Sequence, residues 1–438
     1  MQGRISRSEW RVIMLASLGG ALEFYDFVVY GIFAKYIAAA FFPQSDSLLS
    51  LIVAFAVFAV GYFARPIGGM VLSHFGDKYG RRRVFIASML CMSLATVGMG
   101  LLPPYAVWGG AATLLMVALR IAQGFFLGGE LPGAITYVSE TAPRKAGLAC
   151  GMIFVCVNTG VLFAALLSLF VHEVLTPDQL AAWGWRIGFL FGGVMGLISF
   201  WLRLSLEETP EFARMKHAAA KAPLPELLKG HGVQVLVAIL CLGSMSAYNG
   251  LLIAHMPSYL ASPALGYSDL QASQAQNLCL VVISLLLPVF AWLGDKIPRR
   301  LILGWGSVLT AALAWPYYQA LVDHSVNLYL LVVVWGASAA TFLGTFSGIA
   351  ADLFPTRVRF SGVAVSMNVS VSVFSGTAPL IATALIRGTG SPIAPAFYLI
   401  PVLLAAFAAS FLVKRYGGQI LGEVEAADAA LKAAPAGE

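Results

Sequence analysis

Charge is scarce in this 438-residue chain: Asp, Glu, Lys and Arg make up 11% of it, against 59% hydrophobic residues. Mean hydropathy is +0.83. Soluble globular domains run near 25% charged residues, so a soluble globular chain is excluded. Cysteine is also scarce. The five cysteines, Cys91, Cys150, Cys156, Cys241 and Cys279, all lie in apolar stretches without paired metal spacing and read as buried packing residues. No nucleophile–base set and no metal-ligand cluster stands out, so neither an enzyme nor a bound cofactor or metal is expected. The formal net charge is +6, but the cations sit in short loops instead of on one basic face. A nucleic-acid partner is therefore not expected, and the cations report membrane orientation.

What is present is a series of about twelve apolar runs of roughly 20 residues, the length that spans a bilayer. They fall at 12–34, 48–72, 84–102, 107–138, 146–171 and 185–206, then at 233–256, 272–293, 302–321, 326–350, 360–386 and 394–414. A charged, proline-bearing connector at 207–232 separates residues 1–206 from 233–415, and a tail at 416–438 follows, expected to be frayed or weakly helical. Each half carries a Gly-Asp-Lys turn after its second run. Each also has an acid–x–x–Pro–basic turn after its fourth, Glu140–Pro143–Arg144 and Asp352–Pro355–Arg357. The pattern predicts an all-α membrane protein of twelve transmembrane helices in two pseudo-symmetric six-helix bundles, the repeat architecture of rocking carriers. The first run follows Arg4, Arg7 and Arg11 as a signal peptide would, but it holds Glu23 and Asp26 and no cleavage site, so it reads as a retained helix. Most of the 27 Lys and Arg fall on the N-terminal side, with Lys35, Arg186 and Arg387 opposite. The positive-inside rule then places both termini in the cytoplasm.

A few ionisable groups remain at membrane depth, where they are costly and mark function by default. Glu23, Asp26 and Tyr30 recur at i, i+3 and i+7, one helical stripe, and Arg120, Gln123 and Glu130 at i, i+3 and i+10, another. Two such stripes are best read as lining one cavity, although buried ion pairs that merely brace helices would also explain them. Two acids this close in low dielectric do not both ionise readily near neutral pH. Glu23, Asp26 and Glu130 are thus the candidates for carrying a proton, with Glu130, between Gly129 and Pro132, equally suited to a brace. Arg120 is a fixed cation. Arg65, before Pro66 and Gly68-Gly69, suits a structural role as well as a binding one, and the role of Arg186 is open. Asn158 on the fifth run, Tyr248 and His255 on the seventh and Asn368 on the eleventh complete the binding candidates; an interhelical hydrogen bond would also explain Asn158, and a structural hydrogen bond is the commoner role of a lone histidine such as His255. The helix carrying His255 is expected to break at Pro257.

The stretch Leu72 to Arg83, LSHFGDKYGRRR, spends five of its twelve positions on charge and has glycines at Gly76 and Gly80 for a tight reversal. A looser copy, LGDKIPRRL, runs from Leu293 to Leu301. Asp77 and Arg81, and in the copy Asp295 and Arg299, are read as a gate that latches helices together. A carboxylate favoured beside a helix N-terminus is the plainer alternative for Asp77.

This loop resembles the G-x-x-x-D-(R/K)-x-G-x-(R/K)-(R/K) signature of the major facilitator superfamily, with Ser73 at the first glycine and Pro298 at the corresponding glycine of the copy. Arg120-Ile-Ala-Gln-Gly124 is similar to that family's R-x-x-Q-G motif, which is associated with proton coupling. LEFYDF at 22–27, ARPIGG at 64–69, QGFFLGGE at 123–130, WGWRIGF at 183–189, LEETPEF at 206–212 and LFPTRVRFSG at 353–362 resemble the metabolite:proton symporters of bacterial inner membranes, nearest in pattern to citrate/tricarballylate carriers. The resemblance implies the major facilitator fold and alternating-access import of a small metabolite with protons, a citrate or dicarboxylate being the expected cargo. A symporter of a zwitterion such as proline or betaine, and a proton-driven exporter of a drug or siderophore, are the alternatives. The scarcity of basic residues in the second half argues against a trianion. The expected partners are the substrate, protons and the lipid bilayer, and a monomer suffices.

Overall fold

The computed structural model describes residues 5–42, 47–208 and 223–433. Among them every regular element is helical, as hydrocarbon demands: with no water to bond, spanning backbone must satisfy its own N–H and C=O groups. Twelve long segments follow one another. They are α1 Arg7–Ile32, α2 Ser47–Tyr79, α3 Arg81–Leu101, α4 Gly110–Thr141 and α5 Ala146–Val174, α6 Leu180–Arg203 and α7 Gly232–Leu260. The remainder are α8 Asp269–Leu293 and α9 Arg299–Asp323, α10 Leu328–Asp352 and α11 Thr356–Thr389, and α12 Pro395–Tyr416. Among the described residues ten helices are long and apolar enough to cross a membrane, and α2 and α9 pack beside them as full members of the bundle.

Local sequence fixes several boundaries. Ser6 and Glu9 form a reciprocal capping box that starts α1, and Ser268 and Gln271 start α8 in the same way. Gly80, at φ 114° and ψ 143°, makes the single-residue reversal between α2 and α3; that region is open essentially to glycine alone. The helix does not stop at Pro257 as expected. A π-turn over Gly250–His255 absorbs the distortion ahead of the proline, and helix resumes at Met256–Leu260.

The tail also departs from expectation. Gln419–Ala433 is a helix docked on the bundle. Asp352 accepts hydrogen bonds from the N–H groups of Gly418 (2.8 Å) and Ile420 (3.1 Å) at its start, and Ile420 is buried. Composition alone predicts fraying; capping by a distant carboxylate prevents it.

Within the first half, α2 and α4 approach until their backbones touch. A β-carbon on Gly68 would overlap the Phe125 carbonyl, and one on Gly124 the Gly61 carbonyl. Such small-residue contacts are how helices associate where lipid removes the hydrophobic drive. The two halves meet chiefly towards the face that carries the N-terminus, α2 and α4 against α11 and α5 against α8 and α10. Phe154 of α5 and Phe346 of α10 pack there with ring centroids 4.6 Å apart.

Candidate functional site

Two constellations lie at different depths. The first is inside the first half. Asp26 of α1 is buried, and its Oδ2 accepts a 2.8 Å hydrogen bond from the Thr96 hydroxyl of α3. Thr96 in turn accepts one of 2.8 Å from the Gln123 side-chain amide of α4. The Gln123 carbonyl accepts from the Arg120 guanidinium, which lies 4.5 Å from the Tyr30 ring centroid. Asp26 and Arg120 are thus joined through two side chains, all four buried. The other Asp26 oxygen, Oδ1, has no hydrogen-bond partner among the described residues. A buried carboxylate left half-satisfied carries a large desolvation penalty, and a proton or ligand relieves it.

Of the two stripes, Tyr30 and Asp26 of α1 and Arg120 and Gln123 of α4 are brought together. The Glu23 side chain lies outside the described residues. Glu130 does not join that site. It forms a 2.5 Å ion pair with Arg203 of α6 and accepts from the Ser88 hydroxyl at 3.1 Å, about two helical turns beyond Gln123 towards the face that carries the N-terminus and most of the Lys and Arg, the basic face. Arg203 also donates to the Ala16 carbonyl, so this group ties α1, α3, α4 and α6 together. The pairing of Glu130 with Arg203 has no sequence signature, because Arg203 sits among loop-flanking cations. Thr96 has none either, since a threonine in an apolar helix ordinarily bonds its own backbone.

The remaining candidates scatter. Asn158 is half-buried and lies one helical turn beyond Phe154, on the face of α5 that meets the second half. Asn368 of α11 donates to the Gly128 carbonyl of α4 at 2.8 Å, a hydrogen bond between the halves. Tyr248 is buried within the second bundle, its ring 5.6 Å from Trp335 and its hydroxyl 3.4 Å from the Cys279 sulfur. His255 is buried and stacks on Tyr259 at 5.2 Å. Arg65 is buried near the Tyr62 ring, and Arg186 donates to the Gly100 and Leu102 carbonyls, where it closes the end of α3.

The second constellation lies at the basic face, where the two halves meet. Asp77 is fully buried and accepts from the Phe360 (3.3 Å) and Ser361 (2.8 Å) N–H groups at the start of α11, while Arg81 lies 3.1 Å from it. The expected helix N-terminus exists, but it belongs to the other half. Arg81 continues to Glu140 at 3.2 Å, Glu140 to Arg359 at 3.3 Å, and Arg359 to Glu423 of the tail helix at 2.7 Å. The repeat reproduces the motif from the opposite side. Asp295 accepts from the Gly147 (2.8 Å) and Leu148 (3.0 Å) N–H groups at the start of α5, with Arg299 at 2.9 Å. Glu140 stood out in the sequence only as part of a repeated turn and Arg359 only within the stretch LFPTRVRFSG; that they bridge the halves is a tertiary fact.

The profile described as Major Facilitator Superfamily matches residues 16–376. A putative proline/betaine transporter of Staphylococcus aureus (strain MSSA476) is 32% identical over 418 residues, covering 91% of this chain and 86% of the relative. The glycine betaine/proline/ectoine/pipecolic acid transporter OusA of Dickeya dadantii is 31% identical over 426 residues, covering 92% and 83%. Among solved structures, the proton:xylose symporter XylE bound to 6-bromo-6-deoxy-D-glucose superposes with a TM-score of 0.76 at 17% identity, covering 94% of this chain and 96% of that one. The Staphylococcus and Dickeya relatives are named for proline and betaine, not for the citrate-type cargo that the sequence pattern suggests.

Proposed function

Because the chain belongs to the major facilitator superfamily of membrane transporters, we propose that it is a proton-coupled symporter importing a small zwitterion, a betaine or proline-like amino acid. It would work in a bacterial inner membrane with both termini in the cytoplasm. The observation that carries this reading is the buried chain from Asp26 through Thr96 and Gln123 to Arg120. One acid able to take a proton is wired to one permanent cation able to take one carboxylate.

Charge balance favours the zwitterion over citrate. With Asp26 protonated, Arg120 offsets the single carboxylate, and the substrate's own cationic nitrogen is the one charge left to be met by ring faces and dipoles. A trianion would leave excess negative charge in low dielectric. The positive nitrogen of a betaine suits a ring face, and Tyr30 already presents one to a guanidinium. Gln123 and Asn158 supply hydrogen bonds. Asn368 belongs with Asp77, Arg81, Asp295 and Arg299 in the seal of the basic face, while Tyr248 and His255 shape the wall of the second bundle. Substrate and proton together would break the seal and open the carrier inward, which requires only that the pair favour the occluded state over half-loaded ones.

The test is substrate-induced proton entry into proteoliposomes carrying a lumenal pH dye, with betaine, proline, citrate, succinate and shikimate added singly. Acidification with betaine or proline, abolished by Arg120→Ala and Asp26→Asn, is expected. Acidification by citrate alone would reverse the substrate assignment. Lumenal alkalinisation on adding a cationic drug would replace symport with export.

A further inference from the structure

The Thr96 hydroxyl has one hydrogen and two acceptors within reach, Asp26 Oδ2 at 2.8 Å and the Met92 carbonyl at 3.1 Å. It is also the acceptor for the Gln123 amide at 2.8 Å. The orientation of that amide follows from chemistry: Arg120 can only donate, so Gln123 must turn its oxygen to Arg120 and its NH2 to Thr96. Thr96 is fully buried, so water does not offer a third choice. Its hydrogen therefore goes to one acceptor or the other.

Which one depends on Asp26. While the carboxylate is ionised, the charge-assisted bond to it is the stronger, and the hydrogen points there. Once Asp26 is protonated, its hydrogen finds an acceptor among the described residues only from Oδ2, which lies 2.8 Å from Thr96, and that O–H donates to the second lone pair of the hydroxyl. The Thr96 hydrogen then turns to the Met92 carbonyl. A hydroxyl that donates to a carboxylate is a better acceptor than one that accepts from an acid as well, so the bond from the Gln123 amide, and through it the hold on Arg120, is tighter while Asp26 is ionised and slackens once it is protonated. Resting on the symport reading above, we infer that Thr96 is the positioning residue that couples protonation of Asp26 to the availability of Arg120 for substrate. It carries neither the proton nor the substrate.

The experiment compares Thr96→Val, which keeps the shape and removes the hydroxyl, with Thr96→Ser, which keeps the hydroxyl. Proteoliposomes are assayed with whichever of betaine or proline drives proton entry in the wild-type protein. Two readouts are taken, counterflow of radiolabelled substrate, which needs no net proton movement, and lumenal acidification on substrate addition. Loss of buried hydrogen bonds of this kind is worth about tenfold. Thr96→Val should lose acidification by about that factor, more than it slows counterflow, with Thr96→Ser restoring both. Acidification in Thr96→Val equal to wild type would overturn the inference and leave symport standing. Loss of counterflow and acidification by the same factor, both restored by Thr96→Ser, would also overturn it, because the hydroxyl would then merely shape the binding site. Absence of proton entry in the wild type with every substrate would remove the symport reading and the inference with it. If Thr96→Val does not survive purification, Thr96→Cys, with its weak S–H donor, makes the same comparison.

Discussion

Asp77 and Ser361, 284 positions apart in sequence, are joined by a 2.8 Å hydrogen bond from the Ser361 backbone N–H to the Asp77 carboxylate. A carboxylate of one bundle thereby caps a helix of the other, and Asp295 returns the arrangement at the start of α5. Joining the halves this way costs little geometry, because helix N-termini leave N–H groups unpaired and favour negative charge.

Asp77→Asn should loosen the seal. The substitution keeps an acceptor but removes the charge from its bonds to α11 and to Arg81, and a hydrogen bond to a charged group contributes about 1.5–3 kcal/mol. With the five native cysteines replaced, an Asn158→Cys reporter should be labelled from the basic face several-fold faster in the Asp77→Asn background. Unchanged labelling would show that the cap does not hold the face shut.

The tail helix should matter to the same equilibrium. Glu423 accepts from the Thr356 N–H at 2.8 Å and from its hydroxyl at 2.6 Å, besides pairing with Arg359. Glu423→Gln should therefore raise labelling of the same reporter, by less than Asp77→Asn does. Glu423 is about one-third exposed, and partly exposed pairs contribute less.

Glu130 and Arg203 should behave as a brace. Removing one partner of a buried pair costs about 3–5 kcal/mol, so Glu130→Ala should lower the melting temperature in detergent markedly. Joint replacement, Glu130→Leu with Arg203→Met, should recover much of it. The recovered double variant should still show substrate-induced lumenal acidification. Its absence would return Glu130 to the proton path.

Gly80 should tolerate no side chain. At φ 114°, an alanine would carry about 1–3 kcal/mol of backbone strain. Gly80→Ala should lower the melting temperature, whereas Gly110→Ala, with open space around it, should leave it near the wild-type value.

Arg120→Lys keeps the charge but replaces a planar fork that holds Gln123 and lies over Tyr30. The two side chains are not interchangeable at such a site. Uptake should fall by about tenfold or more even though the net charge of the site is unchanged. Wild-type uptake in this variant would show that charge alone is needed.

Hydropathy and the repeated turns determined the helical class and the twelve-segment order, because spans at membrane depth must be long, apolar and self-bonded. Helical spacing also brought Asp26, Tyr30, Arg120 and Gln123 to their proper faces, since positions 3, 4 and 7 apart fall on one stripe whatever the surroundings. What local spacing could not convey was choice of partner. Glu130 and Asp26 look alike in sequence, each an acid in an apolar run. Only the packing of α6 against α1 and α3 supplies Arg203 to the one, and only α3 supplies Thr96 to the other. The docked tail was likewise illegible, because Asp352 and Arg359, which hold it, come from turns more than fifty residues away. Asp77 carried its charge openly in the sequence. That it caps α11 of the opposite bundle was decided by how the two halves meet, a contact between residues too distant in sequence for any periodicity to record.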